Sequence, residues 1–247
     1  MTTDTTRTVF RISGPDREAF LQGLVSNDIA KLASGAVYAA LLTPQGKYLA
    51  DFFLVPATDA ILLDVAKPLA AALLQRLTMY KLRANVTIEP TQIEPARGLG
   101  DAPAGAFTDP RHPALGWRAY DGRDGQQGVD WDQIRVTHCI PETGIELTPD
   151  SYVLEAGFER LNGVDFHKGC YVGQEVTARM KHKTELKKGL VTVSVSGAAP
   201  IGSQITSGSK PAGHLFTQAG GHAIAYLRFD RAGPDMQAGD AKVSWRG

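Results

Sequence analysis

Asn162-Gly163-Val164-Asp165-Phe166-His167-Lys168-Gly169-Cys170-Tyr171-Val172-Gly173-Gln174-Glu175-Val176-Thr177-Ala178-Arg179 is the most unusual stretch of this 247-residue chain. Two glycines, Gly169 and Gly173, flank Cys170-Tyr171-Val172. The backbone there can take conformations closed to other residues, or approach a ligand closely. Lys168 sits two residues before the thiol, and Arg179 follows on the helix that Gln174 is expected to begin. A thiol near cations and a helix N-terminus is expected to ionise easily, and thiolate is the form that attacks or binds metal. Residues 179–188 add Arg179, Lys181, Lys183, Lys187 and Lys188 against the single acid Glu185. Such a run is ordinarily a solvated face, and it can also meet the anionic tail of a cofactor. A lone cysteine is ordinarily a small buried hydrophobe. Cys139, in Thr137-His138-Cys139-Ile140-Pro141, lacks glycine or basic neighbours other than one histidine and is read that way.

Downstream of Lys188 the pattern is wholly β: Gly189–Ser196, Gln204–Thr206, Ala223–Phe229 and Ala241–Trp245, with glycine-rich turns between. Short, evenly punctuated strands suggest a small barrel or sandwich. Upstream, Ser151–Leu161 and Asp130–Cys139 read as helices, and Glu94–Gly128 holds seven glycines and four prolines in 35 residues. That segment is expected to be irregular, with at most a strand pair joining Asp109-Pro110-Arg111 to Leu115–Arg118. The first ninety residues alternate types. Strands are expected at Thr8–Ile12, Ala36–Leu42, Tyr48–Val55, Ala60–Val65 and Asn85–Ile88. Thr43-Pro44-Gln45-Gly46-Lys47 reads as a hairpin turn. A helix started by Pro15 and Asp16 would bury Ala19, Phe20 and Leu24. A second, opened by Pro68, shows Leu69, Leu73 and Leu77 as a core-facing stripe. The expected class is α+β, divided into an α+β region over residues 1–188 and a β-barrel over residues 189–247.

Composition excludes several functions. Lys+Arg and Asp+Glu tie at 26 each, which argues against a general nucleic-acid binder. No apolar run reaches the roughly 18 residues of a membrane span, and Met1–Arg7 has no apolar segment of the signal-peptide kind. Two cysteines rule out a disulfide framework. A cytoplasmic protein without nucleic-acid or membrane partners is the expectation. The six histidines show no HExxH, the cysteines no CxxC, and the chain has no P-loop, G-x-S-x-G or G-x-G-x-x-G after a strand. Hydrolase, NTPase and dinucleotide readings therefore have little support.

Lys168-Gly169-Cys170-Tyr171-Val172-Gly173-Gln174-Glu175 resembles the signature of the YgfZ family, tetrahydrofolate-dependent iron–sulfur cluster proteins related to the glycine-cleavage T protein, an aminomethyltransferase. Other segments resemble that family in order: Phe20-Leu21-Gln22-Gly23 with Ser26-Asn27-Asp28, Leu42–Lys47, Tyr80-Lys81-Leu82-Arg83, Asp109-Pro110-Arg111, Gly144-Ile145-Glu146-Leu147 and Ala225-Tyr226-Leu227-Arg228. The resemblance implies three subdomains in a ring around a folate site, two mixed α/β and one a C-terminal barrel. It implies a tetrahydrofolate-binding accessory protein in cluster assembly or repair, with Cys170 and Lys168 as the chemical groups. Cys170 would be a transient ligand of a cluster shared with an assembly or client protein, because one thiolate cannot hold a cluster that takes four.

A pterin edge suits a bidentate carboxylate, for which Asp28, Glu155 and Glu175 are candidates. Arg83, Arg179 and Arg228 could take the glutamate tail, and Gln174 belongs to the motif. Two other functions compete, a folate-dependent one-carbon transferase and a folate-binding module without chemistry. The transferases carry an aspartate ahead of the second helix; here Asp64 lies in Leu62-Leu63-Asp64-Val65-Ala66, a different local pattern. They also lack Lys-Gly-Cys, and both departures favour cluster maintenance.

Overall fold

A computed structural model describes residues 4–183 and 185–247. The described residues form two compact units, one within residues 1–129 with 158–176 and the other within residues 130–157 with 177–247.

The first unit is built on a five-stranded sheet of Arg7–Ser13 (β1), Val37–Leu42 (β2), Tyr48–Ala57 (β3), Ala60–Ala66 (β4) and Thr87–Pro90 (β5), in the order β2-β3-β4-β1-β5. Strands β2 and β4 are buried along their whole length, which is why they read as continuous apolar runs. The hairpin expected at 43–47 joins β2 to β3. The helix Arg17–Gln22 (α1) is shorter than expected and buries Phe20 and Leu21, leaving Ala19 exposed. Pro15 precedes the helix, and the Asp16 carboxylate turns away to accept from the Asn85 amide at 2.7 Å. The second helix, Lys67–Lys81 (α2), buries Ala70, Leu73 and Leu77 against the sheet, with Leu69 at the margin of that core.

The glycine-rich segment after β5 is more regular than its composition suggests. Ala96–Gly98 (β6), Phe107–Thr108 (β7) and Trp117–Ala119 (β8) form a sheet ordered β6-β8-β7. The strand that pairs with β8 is thus Phe107–Thr108, ahead of the expected Asp109–Arg111.

In the second unit, Trp131–Thr137 (α3) is capped by Asp130, whose side chain accepts from the Gln133 amide. The helix expected at Ser151–Leu161 is absent. That segment is a succession of turns, and Gly157 at φ 77° takes a left-handed conformation that ends any helix begun there. Gln174–Lys183 forms a helix (α4) beginning at Gln174 as expected, its first three residues counted with the first unit and the rest with the second. Beyond it, Lys188–Ser196 (β9), Gln204–Ser207 (β10), Lys210–Ala219 (β11), His222–Arg228 (β12), Met236–Ala238 (β13) and Ala241–Ser244 (β14) close into a barrel ordered β10-β11-β12-β9-β14-β13. Of these, β11 and β13 were not expected, because Pro211 and Gly213 make β11 read as a turn. The barrel core is aliphatic, from Val193, Ile205, Leu215, Leu227 and Val243. Arg135 of α3 lies buried beside it and donates to Glu146 at 3.2 Å and to the Thr217 hydroxyl at 2.9 Å.

Candidate functional site

The segment 162–173 has no regular secondary structure, so its shape must come from what holds it. Two buried polar side chains of the first unit do much of this. Ser26 Oγ donates to the Gly163 carbonyl at 2.6 Å and accepts from the Ala40 amide at 2.8 Å. Asn27 Nδ2 donates to the Asn162 and Tyr38 carbonyls at 2.6 and 2.8 Å. Asp165 follows: it accepts from the His167 and Lys168 amides and pairs with Lys31 at 2.7 Å.

Lys168 points into this unit. Its Nζ donates to the carbonyls of Gln22, Val25 and Asn27 at 2.8, 2.6 and 3.0 Å, so all three ammonium protons are used. The residue is 7 % exposed, and Nζ lies 5.0 Å from the Tyr171 ring centre. Burial pulls the ammonium down to about 8, with Asp28 and Asp165 opposing it. Lys168 is thus fitted to anchor the loop. On the far side Gly173, at φ 86°, sits where a Cβ would come within 2.6 Å of the Thr43 carbonyl.

Between these anchors Gly169 and Cys170 are exposed, with open space around Gly169. The thiol is presented to solvent from a fixed loop, four residues before α4 begins. Cys139 is buried, as expected.

Lys168→Met is expected to cost about 2–3 kcal/mol, because it leaves buried carbonyls without donors. Hydrogen exchange of the amides between 162 and 173 should rise, and unchanged exchange would refute the anchoring role. The pH dependence has a definite sign. Between about pH 8 and the ordinary lysine value of 10.5 the folded chain binds fewer protons at this side chain than the unfolded one. Stability from this group therefore rises with pH across that window, and Lys168→Met should remove that increment.

The other sequence candidates divide between the units. In the first, Asp28 caps a short turn of helix and accepts from the Ala30 amide and Gln22 Nε2 through one oxygen, each at 3.0 Å. Arg83 is exposed beyond α2. Gln174 and Glu175 open α4, the latter exposed. In the second, Arg179 is exposed on α4. Glu155 is buried and accepts from the Tyr226 hydroxyl at 2.6 Å, with Lys188 at 3.8 Å. Arg228 pairs with Asp230 at 3.3 Å on the surface. Among the described residues no three metal-ligating side chains gather into a site.

A buried ionic cluster in the first unit went unread in the sequence. Asp64, fully buried on β4, accepts from Arg7 Nε at 2.6 Å, Arg118 at 2.8 Å and the Tyr120 hydroxyl at 2.7 Å. Asp109 takes Arg111 at 2.8 Å. The guanidiniums of Arg118, Arg111 and Arg7 lie 4.1, 4.8 and 5.3 Å from the centre of the Phe53 ring. Burial by itself would raise the Asp64 carboxyl, but Arg7 and Arg118 hold it below the ordinary value. With its oxygens so occupied, Asp64 is not poised to work on folate nitrogens, which counts against the transferase reading. The sequence marks it only in pieces, as Asp64, a charge inside an apolar strand, and as Asp109-Pro110-Arg111, with nothing to join them.

A family model for the CAF17 C-terminal β-barrel domain matches residues 187–247. Over 87 % of its length the chain is 32 % identical to the human mitochondrial iron–sulfur cluster assembly factor IBA57, covering 70 % of that protein. The counterpart from Mus musculus is 30 % identical over 90 % of the chain and 72 % of the relative. Among solved structures, the glycine cleavage system aminomethyltransferase T of Bartonella henselae superposes over 98 % of this chain and 83 % of its own, with a TM-score of 0.76 and 14 % identity. That likeness bears out the expected fold, mixed α/β followed by a barrel. The expected cytoplasmic location is corrected, since both relatives are mitochondrial by name.

Proposed function

The chain belongs to the IBA57 family of iron–sulfur cluster assembly factors, and from that premise we propose that it binds tetrahydrofolate and uses Cys170 in assembling or repairing clusters on client proteins. The observation that carries the thiol's part is its setting, exposed between two anchored flanks. The cluster is cargo. The thiol gives its proton to solvent, the thiolate donates an electron pair to iron, and one ligand from the assembly or client partner leaves, with no change of oxidation state. The other three ligands must come from that partner, since such clusters take four.

Folate would supply a one-carbon carrier. The fit of this chain's residues to it is incomplete: Glu155, the buried carboxylate, has one oxygen on the Tyr226 hydroxyl, which a pterin edge would displace. The fold shared with an aminomethyltransferase supports the assignment.

The test is a thermal-shift titration with tetrahydrofolate on wild type, Cys170→Ser and Glu155→Gln. A ligand of the native state raises the midpoint with concentration, by about 2.7 kcal/mol of stability at a hundredfold excess over Kd. Equal shifts in wild type and Cys170→Ser are expected, with a smaller one in Glu155→Gln. No shift in wild type removes folate from the proposal.

A further inference from the structure

The end of α2 departs from what a helix terminus ordinarily contains. After Lys81 the chain turns back, the Ala84 amide donating to the Lys81 carbonyl at 2.7 Å. Leu82 takes the first corner position, at φ 44° and ψ −103°. This is the corner of a type II′ turn, which glycine fills and in which a Cβ is strained. Burial does not offset the strain, for the Leu82 side chain is 88 % exposed and Met79, three positions earlier, is 68 % exposed. The base of the turn is fixed, with the Asn85 amide on the Asp16 carboxylate. Arg76 and Arg83 are exposed around the tip and Lys81 is half-buried. From residue 65 to residue 88 the chain has four cations, Lys67, Arg76, Lys81 and Arg83, and no acid, although the whole chain is balanced at 26 of each sign.

We propose that this tip, Met79 and Leu82 within a rim of Arg76, Lys81 and Arg83, docks into an apolar pocket edged with carboxylates on a different protein. The fold keeps a strained leucine that contributes nothing to its own core, a receiving pocket would bury that side chain with Met79, and the cations select an acidic rim and steer its approach. A second copy of this chain is disfavoured, because a two-fold contact through the tip would set the same cations against each other. A membrane is disfavoured too: two side chains carry less apolar surface than one acyl chain, which anchors only marginally. The proposal does not depend on Cys170.

To test it, benzoylphenylalanine is placed at position 79, cells expressing the full chain are irradiated, and the adduct is identified and its protein partner purified. The expected result is one adduct with a different protein. Its binding to the otherwise unaltered chain should weaken at least about tenfold in Leu82→Gly and in Arg83→Glu, and again on raising salt from about 50 to 300 mM. Leu82→Gly should meanwhile melt at or above the wild-type temperature, because glycine relieves the corner, so its lost binding is not unfolding. Cys170→Ser should give the same adduct, which separates this proposal from the cluster reading. The proposal is overturned by no adduct, by an adduct with a second copy, or by undiminished binding in Leu82→Gly. Sedimentation of the purified chain with phosphatidylcholine–phosphatidylglycerol vesicles, lost in Leu82→Gly, also overturns it.

Discussion

Cells that depend on a Cys170→Ser chain are expected to lose at least about tenfold in the activity of their iron–sulfur client enzymes. The thermal midpoint of the purified protein should stay within about 1 °C of wild type. The two halves of this expectation have separate causes. A hydroxyl keeps its proton near neutral pH and is a poor ligand for cluster iron, whereas thiolate is the soft donor these clusters take. The side chain is exposed, and exposed substitutions usually change stability by no more than about 0.5 kcal/mol. The loop's shape rests on Ser26, Asn27 and Lys168, none of which is altered. Full client activity in the variant would remove the thiol from the chemistry. A fall in both activity and melting point would instead make Cys170 a structural residue.

Asp64→Ala is expected to be the most destabilising single change in the first unit. It removes the carboxylate from partly exposed Arg7 and from buried Arg118, which keeps only the more distant carboxylate of Asp109 at 3.8 Å. Breaking a buried pair from one side costs about 3–5 kcal/mol, or about 6–20 °C in a protein of this size. Asp64→Asn should cost less, since the amide oxygen still accepts a bond. The acid limb gives an independent check. Because the folded carboxyl titrates below its ordinary value, its contribution is complete above that value and is lost as pH falls through the folded one. Wild type and Asp64→Ala should therefore converge in stability toward acid pH. A variant that melts like wild type at pH 7 while losing one-carbon turnover would restore Asp64 as a catalytic group and the transferase reading with it.

How far the sequence disclosed all this depended on where each partner lies along the chain. The strands β2 to β4 were legible because each is a long apolar run paired with its neighbour along the chain. Helix α2 was legible through its leucine stripe, and β1 through its short β-type run alone, since its partners β4 and β5 lie far along the chain. The turns at 151–161 read as helix because a left-handed glycine at 157 leaves no mark on side-chain periodicity. Cys170 stood out through its glycines. Lys168 was read as a cation near the thiol, and what the sequence did not disclose is that its ammonium meets carbonyls more than 140 positions away. Backbone acceptors have no letter in a sequence, so no spacing rule could have found them. Asp64 and Arg118 are likewise 54 positions apart, and nothing local announces their pairing.

The order in which the chain enters its two units has a consequence for biosynthesis. Residues 158–176, which carry the thiol, return to a unit whose other residues end at 129, after an excursion through 130–157. A ribosome making about 5–20 residues per second therefore needs roughly 10–35 s before the first unit has all its parts. Until then the carbonyls of Gln22, Val25 and Asn27 wait for their lysine. A nascent chain stalled before residue 168 holds neither Cys170 nor its lysine anchor, so such a product lacks the exposed thiol. Simple truncation cannot isolate either unit, because each is assembled from two separated lengths of chain.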